Sequence, residues 1–253
     1  MPTERQPIPS VWARPRPRRR EQPALGRAQI VAAALELLDA EGIDALSMRK
    51  LGARLNAGAT SMYTHVANKD ELLELVVDEV YGEVEPPALP GTDDPADWQA
   101  AMARCAHSLR AAFLRHPWAV SVLGETGLAY LGPNVLRLME ALLTVLEEGG
   151  LELAAAEQAV HTLIAYVVGV STSESATLRT LARSGRSQRE WAERLLPAAA
   201  EATRAYPRLH KIYTARRDDA ARVVRDDDFE VGLECVLQGI ARRLAPREAT
   251  ERR

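Results

Sequence analysis

Residues 46–73, LSMRKLGARLNAGATSMYTHVANKDELL, contain two helix-forming pieces on either side of a small-residue break, NAGA. Each piece is shorter than the ~12–15 residues at which an isolated helix holds in water. They can persist only against a platform, and the preceding segment offers one. Ile30, Ala34, Leu37 and Leu38 share one face of a predicted helix ending near Gly42, with Ile43 following the break. Ser47 is placed to cap the next piece, with Met48, Leu51 and Leu55 inward. A third piece over about 58–66 turns Met62 and Val66 inward. Asn68 or Asp70 then opens a longer helix that carries Leu72, Leu73, Val76, Val77 and Val80 toward a core. Three helices about a small-residue turn form a helix-turn-helix, whose second short helix faces outward into a DNA major groove. That geometry explains why Thr60, Ser61, Thr64 and His65 stand where a core-facing helix would carry Leu or Ala. Their hydroxyl and imidazole groups bond phosphates or base edges, while Lys69 and the N–H groups opening the next helix suit a phosphate.

The remainder reads as helix almost throughout, and no stretch alternates with period two, which predicts an all-α fold without internal repeats. Residues 1–23 form a Pro- and Arg-rich arm, in which Pro at positions 7, 9, 15, 17 and 23 forbids a continuous helix. The predicted DNA-binding unit spans 24–84, a helical body 85–246 and a tail 247–253, with the linker-like EPPALPGTDDP at 85–95. In the body, Trp98, Met102, Cys105, Leu109 and Phe113 fall on one helical face that stops before Pro117. Pro133 occupies a first helical turn, followed by inward Leu136, Met139, Leu143 and Leu146 until Gly149 and Gly150. A nearly all-apolar helix covers about 153–181, and Ser187 with Glu190 forms a capping box. Asp226–Asp228 cap a last helix with Phe229, Leu233, Val236, Leu237, Ile240 and Leu244 inward and Arg242 and Arg243 near its negative end.

Charge is divided unevenly. Of 32 Lys+Arg and 35 Asp+Glu, net −3, residues 1–69 hold 11 and 6, or +5, which leaves −8 on the rest. A basic front on an acidic body confines the polyanion-facing surface to the front. Cys105 and Cys235 lie far apart in no metal-ligand spacing, the pattern of a reduced, cytoplasmic protein. No apolar run is expected to reach the ~18 residues of a membrane span. The stretch after Arg18 and Arg19 is broken by Glu21, Arg27, Glu36 and Asp39, against a twin-arginine export signal. GxSxG, HExxH, CxxC, P-loop and GxGxxG motifs are missing, so catalysis is not expected.

The run IVAAALELLDAEGIDALSMRKLGARLNAGATSMYTHVANKDELLELVVDEV resembles the DNA-binding domain of the tetracycline-repressor (TetR) family. The resemblance lies in the LGARL second helix, the T-S-M-Y-x-H-V third helix and the following N-K-D-E-L-L, and it covers 25 to about 82. RHPWAV at 115–120, LGPNVLRLMEALL at 131–143 and DFEVGLECVLQGI at 228–240 extend it more weakly to the family's regulatory domain. It implies DNA contacts at Ser47 and Arg49, at Thr60, Ser61, Tyr63 and His65 in the recognition helix, and a phosphate contact at Lys69. Ala57, Gly58 and Ala59 stand where relatives often carry larger polar readers, so fewer base contacts are expected there. It implies a homodimer joined by Phe229, Leu233, Val236, Leu237 and Ile240 of the last helix together with the 153–181 helix. A two-fold pair reads an inverted repeat in double-stranded DNA. Val122 stands where the tetracycline repressor has its metal-binding histidine, so neither metal nor cofactor is expected. Arg14, Arg16, Arg18, Arg19 and Arg20 of the arm suit the minor groove beside such a site, or serve as a solubilising tail.

An apolar helical body with a few internal polar groups has the composition of a small-molecule pocket. Candidates to line it are Trp98, Met102, Phe113, His116, Trp118, Tyr130, Met139, His161, Tyr166 and Ser171. Each also has a place in an ordinary core, and His161, alone in VHTLIAYVVG, reads first as a core histidine bonded to a neighbour. The expectation is a ligand-responsive regulator, most simply a repressor controlling an efflux or resistance gene. An antibiotic or metabolite in the body would tilt the fourth helix, about 69–82, and misalign the two DNA heads. The alternative is a ligand-binding adaptor of the same fold without DNA binding.

Overall fold

The computed structural model describes residues 26–87, 97–125, 132–218 and 226–244. The arm, the tail and most of the 85–95 segment therefore lie outside the described residues. Regular structure among those described is all helical. α1 (Arg27–Glu41), α2 (Met48–Arg54) and α3 (Ala59–Tyr63) form a small head, and α4 (Lys69–Gly82) leads from it. The body holds α5 (Asp97–Arg115), α6 (Pro117–Glu125), α7 (Pro133–Glu148), α8 (Leu153–Ser184), α9 (Gln188–Ala202), α10 (Pro207–Asp218) and α11 (Asp226–Leu244).

The head is assembled by local rules. Ile30, Ala34, Leu37 and Leu38 of α1 are buried in one core with Leu51, Met62 and Val66, as α1 packs on α2 and α2 on α3. The Ser47 hydroxyl accepts from the Lys50 N–H at 3.2 Å and opens α2. Asn56 takes a left-handed φ of 51°, which lets the Ala57 N–H donate to the Gly52 carbonyl at 2.8 Å. A β-carbon at Gly52 would stand 2.9 Å from the Ala57 carbonyl oxygen, so the tight turn requires glycine there.

α4 is the joint of the molecule. Every residue from Glu71 to Asp78 is buried, because the helix lies between α1 of the head and α5, α6 and α7 of the body. Within the body, α8 packs along α5, α6, α7 and α11, while α9 and α10 form a hairpin chiefly against each other. α6 and α10 are not foreseen by the hydrophobic pattern. Pro117 cannot donate into the α5 ladder but fits the first position of a new helix, so the chain restarts after His116. α10, PRLHKIYTARRD, has too few apolar positions to show a period.

Four sequence expectations are corrected by packing. In α7 the inward register is Val135, Leu138, Leu142, Val145 and Leu146, and Leu136 is half exposed. The helix carries two apolar stripes one residue apart, and its seat against α4 and α8 selects one. α8 spans 32 residues, and one 18-residue window of it reaches a mean hydropathy of 1.4, long and apolar enough to cross a membrane by length and composition. Its Ala156, Ala159, Val160, Leu163 and Val167 are buried against the body, while much of the rest of the helix is exposed. His161 falls on the opposite face of α8 and is exposed, so it is not a core histidine. On α11, Phe229, Leu233, Leu237 and Ile240 are buried against the chain's own α5 and α8, and Val236 is half-buried. That stripe belongs to the monomer's core, because α11 closes the edge left open between α5 and α8. The approach is close enough that a β-carbon at Gly232 would overlap the Tyr166 hydroxyl.

Candidate DNA-contacting surface and its joint with the body

α3 is anchored from below and polar above. Met62 and Val66 are fully buried, while Ser61, Tyr63 and Thr64 are exposed on the outer side. Tyr63 is 52% exposed, so packing under the helix does not explain its presence. The Thr64 hydroxyl donates to the Ser61 carbonyl at 2.7 Å and closes the short helix. His65 is half-buried, and its carbonyl accepts from the Arg27 guanidinium of α1 at 3.4 Å. Thr60 lies within α3, with its side chain outside the described set.

The flanks add cations. Arg49 and Lys69 are exposed, at the starts of α2 and α4. Asn68 caps α4 by accepting from the Glu71 N–H at 2.7 Å, and the Glu71 carboxylate accepts from the Ala67 N–H at 3.0 Å. Arg27 lies 3.6 Å from that carboxylate and ties α1 to the start of α4. Lys50 and Arg54 of α2 are drawn back to Glu41 and Glu36 of α1. Arg49, Ser61, Tyr63, Thr64 and Lys69 are exposed on or beside α2, α3 and the start of α4, Ser47 is exposed just before α2, and His65 is half-buried after α3. Arg14, Arg16, Arg18, Arg19 and Arg20 lie outside the described residues. Arg27 is the residue that sequence reasoning missed, and its signal was its place one turn before the first buried α1 position.

Polar locks join α4 to the body. Asp78 accepts from the Asn134 and Val135 N–H groups at 3.0 and 3.1 Å and from the Asn134 side chain at 3.1 Å, which caps α7 from outside. A β-carbon at Gly132 would overlap the Asp78 carboxylate. Burial pushes the Asp78 carboxyl above its ordinary range, although those hydrogen bonds pull the other way. The folded state therefore holds this proton better than the unfolded chain does. The group's stabilising contribution is full at low pH and falls as pH rises through the raised value. Replacing Asp78 with alanine leaves the Asn134 and Val135 N–H groups without this acceptor, while the Asn134 side chain keeps its bond to the Asp78 carbonyl. The expected loss is about 2–4 kcal/mol of stability, read from a denaturant melt, and an unchanged midpoint would refute the lock.

The proposed pocket residues do not all converge. Trp98, Met102 and Phe113 are buried, with Phe113 edge-on to Tyr81 of α4 at 5.9 Å. Met139 is half-buried. Ser171 is fully buried, and among the described residues neither its hydroxyl nor that of Ser175 one turn on finds a partner. The Tyr166 hydroxyl donates to the Phe229 carbonyl at 2.7 Å and so serves the α8–α11 joint. Burial raises its pKa from the ordinary phenol value, and the Glu174 carboxylate adds to this. His116 and Trp118 turn toward α1 rather than into the body, both bonding Asp39 at 2.7 Å. Tyr130 lies outside the described residues, and His161 is on the outer surface. Cys105 has its thiol pushed up to about 12 by burial, which leaves it protonated and inert at neutral pH.

Comparison with known proteins agrees with this geometry. The profile described as tetracyclin repressor-like, C-terminal domain, matches residues 89–244, and that of bacterial regulatory proteins, tetR family, matches residues 30–76. An HTH-type transcriptional regulator of Saccharopolyspora erythraea is 42% identical over 166 residues, 66% of this chain and 68% of that protein. The HTH-type transcriptional repressor DrrR1 of Streptomyces coeruleorubidus is 33% identical over 233 residues, 89% of this chain and 80% of that protein. Among solved structures, ActR of Streptomyces coelicolor in complex with actinorhodin aligns with a TM-score of 0.72 and 33% identity, over 87% of this chain and 97% of that one.

Proposed function

Because this chain belongs to the TetR family of bacterial transcription regulators, we propose that it is a homodimeric repressor of an inverted-repeat operator, released when a small molecule binds the body. The observation that carries this reading is the outer side of α3. Ser61, Tyr63 and Thr64 stand exposed on a helix whose other side, Met62, is wholly buried, with Lys69 at the next helix start. A surface of that shape and charge fits a major groove and its phosphates. Ser47, Arg49, Thr60 and His65 complete the contact, and the five arginines of the arm reach the adjoining minor groove.

The repressor reading draws on the name of DrrR1, and the effector reading on the ActR complex with actinorhodin. The effector is an antibiotic or metabolite, and the controlled gene one of efflux or resistance. It enters among Trp98, Met102, Phe113 and Ser171 and shifts α4, which touches both head and body. A roughly 100-fold preference of the effector for the tilted state, about 2.7 kcal/mol, is enough to weaken repression substantially. The dimer forms through the exposed faces of α8 and α11 rather than the buried stripe. Ala165, Gly169, Thr172 and Ala176 on α8 are exposed, as are Val231, Cys235 and Gly239 on α11, and short side chains of this kind suit close helix approach. Such a regulator works in the cytoplasm without cofactor or metal.

The test is a gel shift on DNA upstream of the protein's own gene, repeated across salt and then with candidate metabolites, beside sedimentation at micromolar protein. A salt-sensitive shift of a palindrome by a dimer is expected, reversed by one of the metabolites. No preference for any palindrome there would defeat the reading, and a sedimenting monomer would defeat its two-fold form.

A further inference from the structure

His116 occupies the one-residue gap between α5 and α6, yet only 4% of it is exposed. Its Nδ1 faces Asp39 Oδ1 at 2.7 Å, and its Nε2 faces Glu83 Oε1 at 3.1 Å. Asp39 lies in the last turn of α1, in the head, and Glu83 is the C-cap of α4. Trp118 of α6 donates its indole N–H to the same Asp39 oxygen at 2.7 Å. The Arg115 guanidinium holds the other oxygen of Glu83, and Arg179 of α8 reaches the Pro117 carbonyl at 3.5 Å. One imidazole therefore bridges head, α4 and body.

We propose that His116 is a positioning residue for DNA binding, clasping Asp39 and Glu83 so that its protonated ring holds each head at the angle the operator requires. Imidazole donates from both nitrogens only when protonated, whereas the neutral ring keeps one bridge and turns a lone pair on the second carboxylate. Both bridges together therefore need a proton on each ring nitrogen, whereas a head swung away makes neither bridge. By linkage, lower pH favours the clasp. Two heads held at a fixed angle meet successive grooves without a further ordering cost, so the clasp strengthens operator binding. This inference rests on the DNA-binding reading above and adds proton control to it.

The experiment is a fluorescence-anisotropy titration of the operator duplex with full-length protein at about pH 6 and about pH 8, either side of the ordinary histidine range. Wild type, H116Q and H210Q are compared, since His210 lies in the α9–α10 hairpin, bonded to the Ala200 carbonyl and outside the DNA contact. H116Q is expected to bind roughly fivefold or more weakly at the lower pH and to lose most of the pH step, while H210Q keeps it. H116Q with wild-type affinity and pH step, or tighter binding, would overturn the proposal. Should H116Q melt well below wild type, D39N and E83Q each remove one charged bridge and leave the ring. Each is expected to shrink the pH step, and a full wild-type step in both would overturn the clasp. Wild type that binds no operator at either pH would instead sink the reading on which the inference rests.

Discussion

Replacing Phe229 with alanine is expected to cost about 3–5 kcal/mol of folding stability, seen as an earlier unfolding midpoint by circular dichroism. The ring is fully buried and stacks on Tyr166 at 5.6 Å, with His107 edge-on at 5.1 Å. The Arg110 guanidinium lies over it at 4.8 Å from the centroid, while also holding Glu174 of α8 through two bonds of 2.8 and 2.9 Å. Truncation therefore opens a cavity where α5, α8 and α11 meet and removes the ring beneath a half-buried cation. The site cannot readily collapse, because the backbone of α11 is already close to Tyr166 at Gly232. The same measurement decides between core and interface. A variant as stable as wild type that merely dissociates into monomers would return Phe229 to the dimer contact.

Tyr63→Ala and Lys69→Ala are expected to separate binding from folding. Both side chains are exposed, so melting should move by no more than ~0.5 kcal/mol. Operator affinity should fall roughly tenfold in each, and Lys69→Ala should also lower the salt slope by about one, as a lost phosphate contact does. Met62→Ala is the contrast, since that fully buried side chain supports the same helix from inside. Its loss should lower stability and DNA affinity together. Unchanged affinity and slope in both surface variants would remove the α3–α4 corner from the contact.

Much of the head was legible because its determinants are local. Ser47 and Asn68 cap α2 and α4 where their short polar side chains meet an apolar run, and the Ser187–Glu190 box opens α9 in the same way. The NAGA break marks the turn because Asn accepts the left-handed backbone and Gly52 admits the close carbonyl. Polar residues on α3 stood out because a helix so short cannot waste a core position. The pairings of Arg27 and Asp39 were not legible because a charge on a helix has no period and each partner lies on another element.

The amino-acid order alone therefore showed the caps that open α2, α4 and α9, the segment that carries the tetR-family motif, and that the fold is helical, since caps, turns and spacing act within a few residues. Tertiary packing alone decided which of two α7 stripes is buried, that the α11 stripe meets the chain's own α5 and α8, that His161 faces outward and that His116 bridges head to body. Burial depends on which helix arrives opposite, and that neighbour comes from far along the chain.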